Sequence, residues 1–213
     1  MTAGPTAGMI TLIPAKSFAA SKTRLSPVLS PTQRIELSRT LLLRTIGLAG
    51  QLGPVLVVSP CRAVRRLARQ AGAQTLAEQQ PGLNAAIRHG IGWAQANGAA
   101  EVLILPLDLP RLTLADLAAL LALGRQTGPG LGQTRPGLVI APCQRGQGTN
   151  ALFLTPPTLI APHFGPDSFA AHVAAAYAIG FTPHIYRSPG LAFDLDLPQD
   201  WAQIEKSPDR PGF

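Results

Sequence analysis

Residues 101–110 read Glu101-Val102-Leu103-Ile104-Leu105-Pro106-Leu107-Asp108-Leu109-Pro110. The run from Val102 to Leu105 is apolar without alternation, the pattern of a strand covered on both faces in a sheet wrapped by helices. It leads straight into Asp108, a carboxylate set between Pro106 and Pro110. Ligands of open α/β sheets sit at the carboxyl ends of the strands. A hard oxygen donor fixed at that end is a candidate to hold Mg²⁺.

Short apolar runs alternate with helical patterns on both sides of this stretch. Upstream, Met9–Ile13 is an expected strand stopped by Pro14, followed by a polar loop from Ala15 to Leu29. Ser30-Pro31-Thr32-Gln33 opens a helix to about Ala49, with an N-cap serine, proline in the first turn and glutamine at the capping-box position. A strand at Pro54–Val58, an Arg-rich helix capped by Ser59-Pro60, a weaker strand at Ala73–Ala77 and a helix from Gly82 to Ala96 follow. Downstream, Thr113 caps a helix to about Leu123, and residues 124–136 read as a Gly-rich loop. Strands are expected at Leu138–Ala141, Ala151–Leu154, Pro183–Tyr186 and Leu191–Leu195, with helices at Asp167–Ala178 and Pro198–Ile204. The order predicts a single α/β domain over residues 9–205, with a mixed, mainly parallel sheet flanked by helices. The ends, 1–8 and 207–213, are expected to be frayed.

Composition narrows the class. Of 213 residues 46% are hydrophobic and 14% charged, below the roughly 25% charged of an average soluble protein, which excludes a largely disordered chain. Glycine and proline, 21 each, imply frequent turns and argue against a long coiled coil. No apolar run reaches the roughly 18 residues of a membrane span. Met1–Met9 has no basic residue ahead of an apolar core, so no secretory signal is expected and the location is read as cytoplasmic. Cys61 and Cys143 stand alone, without zinc-ligand spacing. Residues 1–100 hold eleven Lys and Arg against Glu36 and Glu78, a balance of +9; residues 101–213 hold seven against nine acids, a balance of −2. A basic half suits nucleic acid, a membrane surface or a phosphate-rich small molecule. With aromatic residues at 5% there is little to stack on bases, so a nucleic-acid module ranks last.

Three cations, Lys16, Lys22 and Arg24, fall within nine residues after the first strand and suit a triphosphate; the bland reading is a solvated loop. The segment lacks the glycines of a Walker A loop. In Phe193-Asp194-Leu195-Asp196-Leu197, strand alternation puts Asp194 and Asp196 on one face, where mutual repulsion calls for a cation. Asp196 is equally a candidate N-cap of the last helix. Gly146-Gln147-Gly148-Thr149-Asn150 and Phe164-Gly165-Pro166-Asp167-Ser168-Phe169 offer backbone amides, hydroxyls and a helix N-terminus to anions. His89, His163, His172 and His184 show no ligand spacing and are read as structural.

Taken in order, Ile13-Pro14-Ala15-Lys16, Ser21-Lys22-Thr23-Arg24-Leu25, Gly82-Leu83-Asn84-Ala85-Ala86, Leu105-Pro106-Leu107-Asp108-Leu109-Pro110, Gly148-Thr149-Asn150-Ala151-Leu152, Phe164 to Phe169 and Asp194-Leu195-Asp196 resemble one family. It is the guanylyltransferase family that makes the guanosine-diphospho acid precursor of the deazaflavin coenzyme F420. The resemblance implies a nucleotide-diphospho-sugar transferase-like fold. It also implies transfer of GMP from GTP to the phosphate of 2-phospholactate, phosphoenolpyruvate or 3-phosphoglycerate, with release of pyrophosphate. By the same likeness Asp108, Asp194 and Asp196 hold Mg²⁺; Lys16, Lys22 and Arg24 hold the triphosphate. Gly82 and Asn84 lie near the nucleoside, and Thr149, Gly165 and Ser168 bind the phospho-acid. A homodimer and a downstream transferase taking the product are further implications. Many members carry Asp at the position of Cys143 and Thr at that of Gln147, so the acceptor is left open. A sibling nucleotidyltransferase making a molybdopterin or sugar nucleotide is the alternative, although such enzymes usually open with a glycine-rich loop and Pro14–Leu25 has no glycine.

Overall fold

The computed structural model describes residues 8–126 and 136–206. Strands β1 (Met9–Pro14), β2 (Val55–Ser59), β3 (Gln74–Ala77) and β4 (Glu101–Ile104) are parallel to one another. Strand β6 (Thr149–Thr155) is antiparallel to its neighbours β4 and β5 (Gly137–Pro142), and β7 (His184–Ile185) is parallel to β5. The sheet order is β3-β2-β1-β4-β6-β5-β7. Of these seven strands, six share a direction and β6 opposes them. Its first residue, Thr149, therefore sits at the end of the sheet where the other strands finish.

Alternate residues of each central strand serve two cores. Met9, Ile13, Val57, Leu103 and Leu105 join a cluster with α1 (Pro31–Gly50), α2 (Arg62–Gln70), α4 (Leu114–Gly124) and α7 (Pro198–Glu205). Ile10, Leu12, Val58, Val102 and Ile104 join the other, under α3 (Leu83–Ala96) and α5 (Ser168–Ala178). Burial on both faces is why the strands are continuously apolar. Capping boxes at Ser30/Gln33 and Thr113/Asp116 close α1 and α4 reciprocally, each worth about 1 kcal/mol. Of the four arginines of α2, Arg62, Arg66 and Arg69 are exposed on the solvated face while Val64 and Ala68 face the core; Arg65 is half-buried and donates to the Ser59 carbonyl at the end of β2.

Several boundaries differ from the sequence expectation. Gly8 is not frayed, since its carbonyl accepts from the Ala100 and Glu101 amides. The remaining expected frayed residues, 1–7 and 207–213, and residues 127–135 of the expected loop lie outside the described residues. The cap of α2 is Cys61, because Ser59 is the buried last residue of β2 and its hydroxyl oxygen accepts the Cys61 amide instead. No strand forms at Leu191–Leu195. Ser188 and Pro189 start one helical turn, α6 (Pro189–Ala192), in which the Ser188 hydroxyl oxygen accepts the Leu191 amide. The chain beyond it bonds to the loop after β4, with the Leu195 amide donating to the Asp108 carbonyl. Side-chain alternation survives there: Phe193 and Leu195 are buried, Asp194 and Asp196 only partly so. The N-cap of α7 is Leu197 rather than Asp196.

The two glycines that weaken the helical pattern of α3 have opposite meanings. A Cβ on Gly90 would stand 2.4 and 2.9 Å from the terminal methyls of fully buried Leu12 and 3.1 Å from Val58, whereas Gly92 is exposed with nothing within 4 Å. Gly90→Ala is expected to lose about 1–3 kcal/mol through overpacking, and Gly92→Ala to gain about 0.5–1 kcal/mol of helix propensity. Urea unfolding of both variants checks this; shifts of the same sign would contradict the packing of α3 on β1.

Candidate active site

The loop after β1 is built from two short 3₁₀ turns, Phe18–Ala20 and Thr23–Leu25, anchored by the buried side chains of Phe18 and Leu25. Between them Lys22 takes a left-handed conformation, φ 56° and ψ 31°, which costs a residue with a Cβ about 1–2 kcal/mol. Its ammonium is the reason the strain persists. Lys22 Nζ lies 2.6 Å from Asp108 Oδ1 and 3.4 Å from Asp196 Oδ1, and donates to the Leu195 carbonyl at 2.8 Å. The Lys22 side chain is 3% exposed, so these acceptors replace its hydration.

A cleft of about 880 Å³ opens beside this knot, lined by the β1 loop, the ends of β2 and β4, and residues 78–83. Lys16, Lys22, Arg24, Gly82, Asp108 and Asp196 all line it. Lys16 and Arg24 are exposed, and among the described residues neither has an acidic partner within ion-pair distance. They are free to meet an anion. At the far end Gly82 has φ 117°, and its amide donates to Glu78 Oε1 at 2.9 Å. Asn84 faces elsewhere: its amide nitrogen donates to the Phe164 carbonyl and its oxygen accepts the Phe164 amide, both at 2.8 Å. It clasps the start of α3 to the loop before α5.

That loop forms a second cluster. The Thr149 amide donates to Ser168 Oγ at 2.9 Å, and the Ser168 amide donates to the Gly165 carbonyl at 3.3 Å. Gly165 has φ 139° and Asp167 φ 54°, conformations that turn the chain sharply into α5. Thr149 and Ser168 are both buried. Thr149 Oγ1 also lies 2.9 Å from Nδ1 of His172, which is fully buried and was not expected from sequence to touch the site. Burial, and secondarily the charge of His163, lower the His172 pKa to about 4. Cys143 accepts the Gly148 amide on its sulfur, and exposed Gln147 accepts the Phe169 amide on its carbonyl.

Asp194 turns from the cleft toward Arg145, 3.2 Å away. Arg145 also binds both oxygens of Asp200, at 2.7 and 2.9 Å. Buried Asp200 in turn accepts the Asp196 and Leu197 amides on Oδ2, and so fixes the segment carrying Asp194 and Asp196. Nothing in the local sequence around Asp200 advertises this role beyond its place in the first turn of α7. Among the described residues no three His, Cys, Asp or Glu side chains converge as a ready cation site. The donor set nevertheless suits Mg²⁺, which is usually bound by one or two carboxylates plus substrate phosphates. Asp108 and Asp196 already converge on one cation, the Lys22 ammonium, and Asp194 Oδ1 is buried without a hydrogen-bond partner. Burial, followed by the charge of Asp196, raises the Asp194 pKa.

A basic cleft at the carboxyl ends of parallel strands, with carboxylates on its rim, marks an α/β domain built to receive a phosphate-rich ligand. The profile of the family described as "Guanylyl transferase CofC like" matches residues 9–205, and the chain belongs to that family. It is 42% identical to the phosphoenolpyruvate guanylyltransferase of Rubrobacter xylanophilus, over 92% of this chain and 93% of that one. Identity to the 3-phospho-D-glycerate guanylyltransferase of Phenylobacterium zucineum is 34% (88% and 85% covered). Identity to the 2-phospho-L-lactate guanylyltransferase of Methanothermobacter thermautotrophicus is 33% (91% and 82% covered). The fold is shared with a Desulfovibrio desulfuricans protein assigned as a nucleotide-diphospho-sugar transferase, at TM-score 0.72 and 15% identity over 95% and 92% of the two chains. It is also shared with a 4-diphosphocytidyl-2C-methyl-D-erythritol synthase, at 0.59 and 14% over 94% and 97%. Among the described residues no helix is long and apolar enough to cross a membrane.

The buried imidazole makes stability depend on pH. The unfolded chain binds the His172 proton near pH 6.5 and the folded chain only near pH 4. Stability is therefore full above pH 6.5, falls by roughly 3 kcal/mol as the pH drops through that window, and levels off below it. Urea unfolding at a series of pH values checks this, and the His172→Asn variant is expected to lack that part of the slope.

Proposed function

We propose that the protein is a Mg²⁺-dependent guanylyltransferase that moves GMP from GTP to the phosphate of a small phospho-acid, releasing pyrophosphate, as a step of coenzyme F420 biosynthesis. The observation that carries this reading is the cleft in which Lys16 and Arg24, two cations with no acidic partner among the described residues, face the Lys22–Asp108–Asp196 knot. A phosphomonoester is largely dianionic at neutral pH, so its oxygen is already a competent nucleophile and no general base is needed. That oxygen attacks the α-phosphorus of GTP; the bond from the α-phosphorus to the β-phosphate bridge breaks, and pyrophosphate leaves with the electron pair.

The chain's task is to bring two polyanions together in line. Lys16 and Arg24 bind the triphosphate and offset charge building on the departing pyrophosphate. Gly82 and Leu83 wall the nucleoside end, and Asn84 ties that wall to the acceptor loop. Thr149, Gly165 and Ser168 hold the phospho-acid at the N-terminus of α5. Asp108, Asp196 and Asp194, the last turned to Arg145 in this structure, would hold Mg²⁺, which when bound would neutralise phosphate charge. Relatives named for three different acids leave the acceptor to experiment, with phosphoenolpyruvate first in line from the 42% identical relative. The resulting guanosine diphospho-acid passes to a downstream transferase, and the functional unit is a homodimer.

Purified protein is incubated with GTP, Mg²⁺ and phosphoenolpyruvate, 2-phospholactate or 3-phosphoglycerate separately, and pyrophosphate is measured. Release is expected with one acid well above the others; no release with any, while GTP binds, would redirect the reading to sibling nucleotidyltransferases. Asp108→Asn is expected to keep its fold by circular dichroism and lose turnover about 10²-fold or more. Turnover like that of the wild type would remove Asp108 from the metal site.

A further inference from the structure

His172 is the one fully buried histidine, and both its ring nitrogens are engaged. The His163 backbone N–H donates to Nε2 at 2.9 Å. A backbone amide can only donate, so Nε2 is a bare acceptor. With burial holding the ring neutral at ordinary pH, the single proton resides on Nδ1, the atom 2.9 Å from Thr149 Oγ1. The Thr149 oxygen thus receives a hydrogen bond from His172, and its own hydrogen is uncommitted. Ser168 is in the same condition, since its Oγ accepts the Thr149 amide. Two neighbouring buried hydroxyls whose oxygens serve buried donors have hydrogens to offer, at the positive end of an 11-residue helix.

We infer that His172 is a positioning residue: by keeping its proton on Nδ1 it turns the Thr149 hydroxyl into a donor toward the phospho-acid. The inference rests on the acceptor reading of Thr149 and Ser168 given above. In the other tautomer Nδ1 would draw the Thr149 hydrogen to itself and leave an oxygen lone pair facing the anion. The clasp of Asn84 on both backbone groups of Phe164 holds the adjoining His163 amide in place. The tautomer, and through it the hydroxyl, is thereby tied to the nucleotide side of the cleft.

The test has two readouts. ¹⁵N spectra of the ring in the full chain near neutral pH are expected to show a protonated Nδ1 and a pyridine-like Nε2; the reverse overturns the inference. Kinetics of pyrophosphate release then use His172→Gln, which can still accept the His163 amide but has no donor at the Nδ1 position, and His172→Asn, which restores one. His172→Gln is expected to raise the KM for the phospho-acid about tenfold with the KM for GTP unchanged, and His172→Asn to recover most of it. In the Thr149→Val background His172→Gln should add nothing, because its effect runs through the missing hydroxyl. Additive losses, or KM values for GTP and acid rising together, mean that His172 only packs the fold and overturn the inference. A wild type that releases no pyrophosphate with any acid fails at the first step, which separates failure of the proposed function, and of this inference with it, from failure of the inference alone.

Discussion

The buried ammonium of Lys22 is the constraint around which the rest of the site is arranged. It joins three segments far apart in sequence: the loop after β1, the Asp108 loop after β4, and the Leu195–Asp196 segment near the end of the chain. A cation that has lost its water must keep its acceptors, so each segment is placed relative to the other two. The left-handed backbone at Lys22 is tolerated for the same reason. Among the described residues Lys22 also leaves its neighbours Lys16 and Arg24 without carboxylate partners, because Asp108 and Asp196 are already engaged by its ammonium. The positive face of the cleft follows from that distribution rather than from the number of basic residues.

A second constraint is the reversal of β6. Had all seven strands been parallel, Thr149 would lie at the opposite end of the sheet from Asp108. Inserted antiparallel between β4 and β5, β6 brings its first residue to the functional end, where α5 begins. The two clusters, one basic and one rich in hydroxyls, are then linked by Asn84. A pair of reciprocal hydrogen bonds to backbone has little conformational freedom, so such a link carries position more faithfully than an exposed ion pair.

Much of this was legible in one dimension. The unbroken apolar runs at Val102–Leu105 and Val55–Val58 announce strands buried on both faces, and the capping sequences at Ser30 and Thr113 form the reciprocal bonds they suggest. Lys22, Asp108 and Asp196 were recognisable candidates, and they meet. The strand expected at Leu191–Leu195 fails because alternation records only which side of an extended segment is buried; Phe193 and Leu195 are buried under a loop, not a sheet. His172 and Asp200 escaped for a related reason. A lone histidine within an Ala-rich helix and an acid in a first helical turn are ordinary in sequence, and their partners lie 23 and 55 residues away, on β6 and in the loop before it.

What the sequence by itself determined is therefore what depends on neighbours along the chain: strand and helix identity, caps, turns, and the charge asymmetry that points to a phosphate-rich ligand. Tertiary structure alone decided which charged and polar groups are neutralised and which stay available. It paired Lys22 with two aspartates, turned Asp194 to Arg145, engaged both ends of the Asn84 amide, and set a buried imidazole against Thr149. Electrostatic and hydrogen-bond energies depend on distance and burial in space. Those are fixed only when the sheet brings its strand ends together.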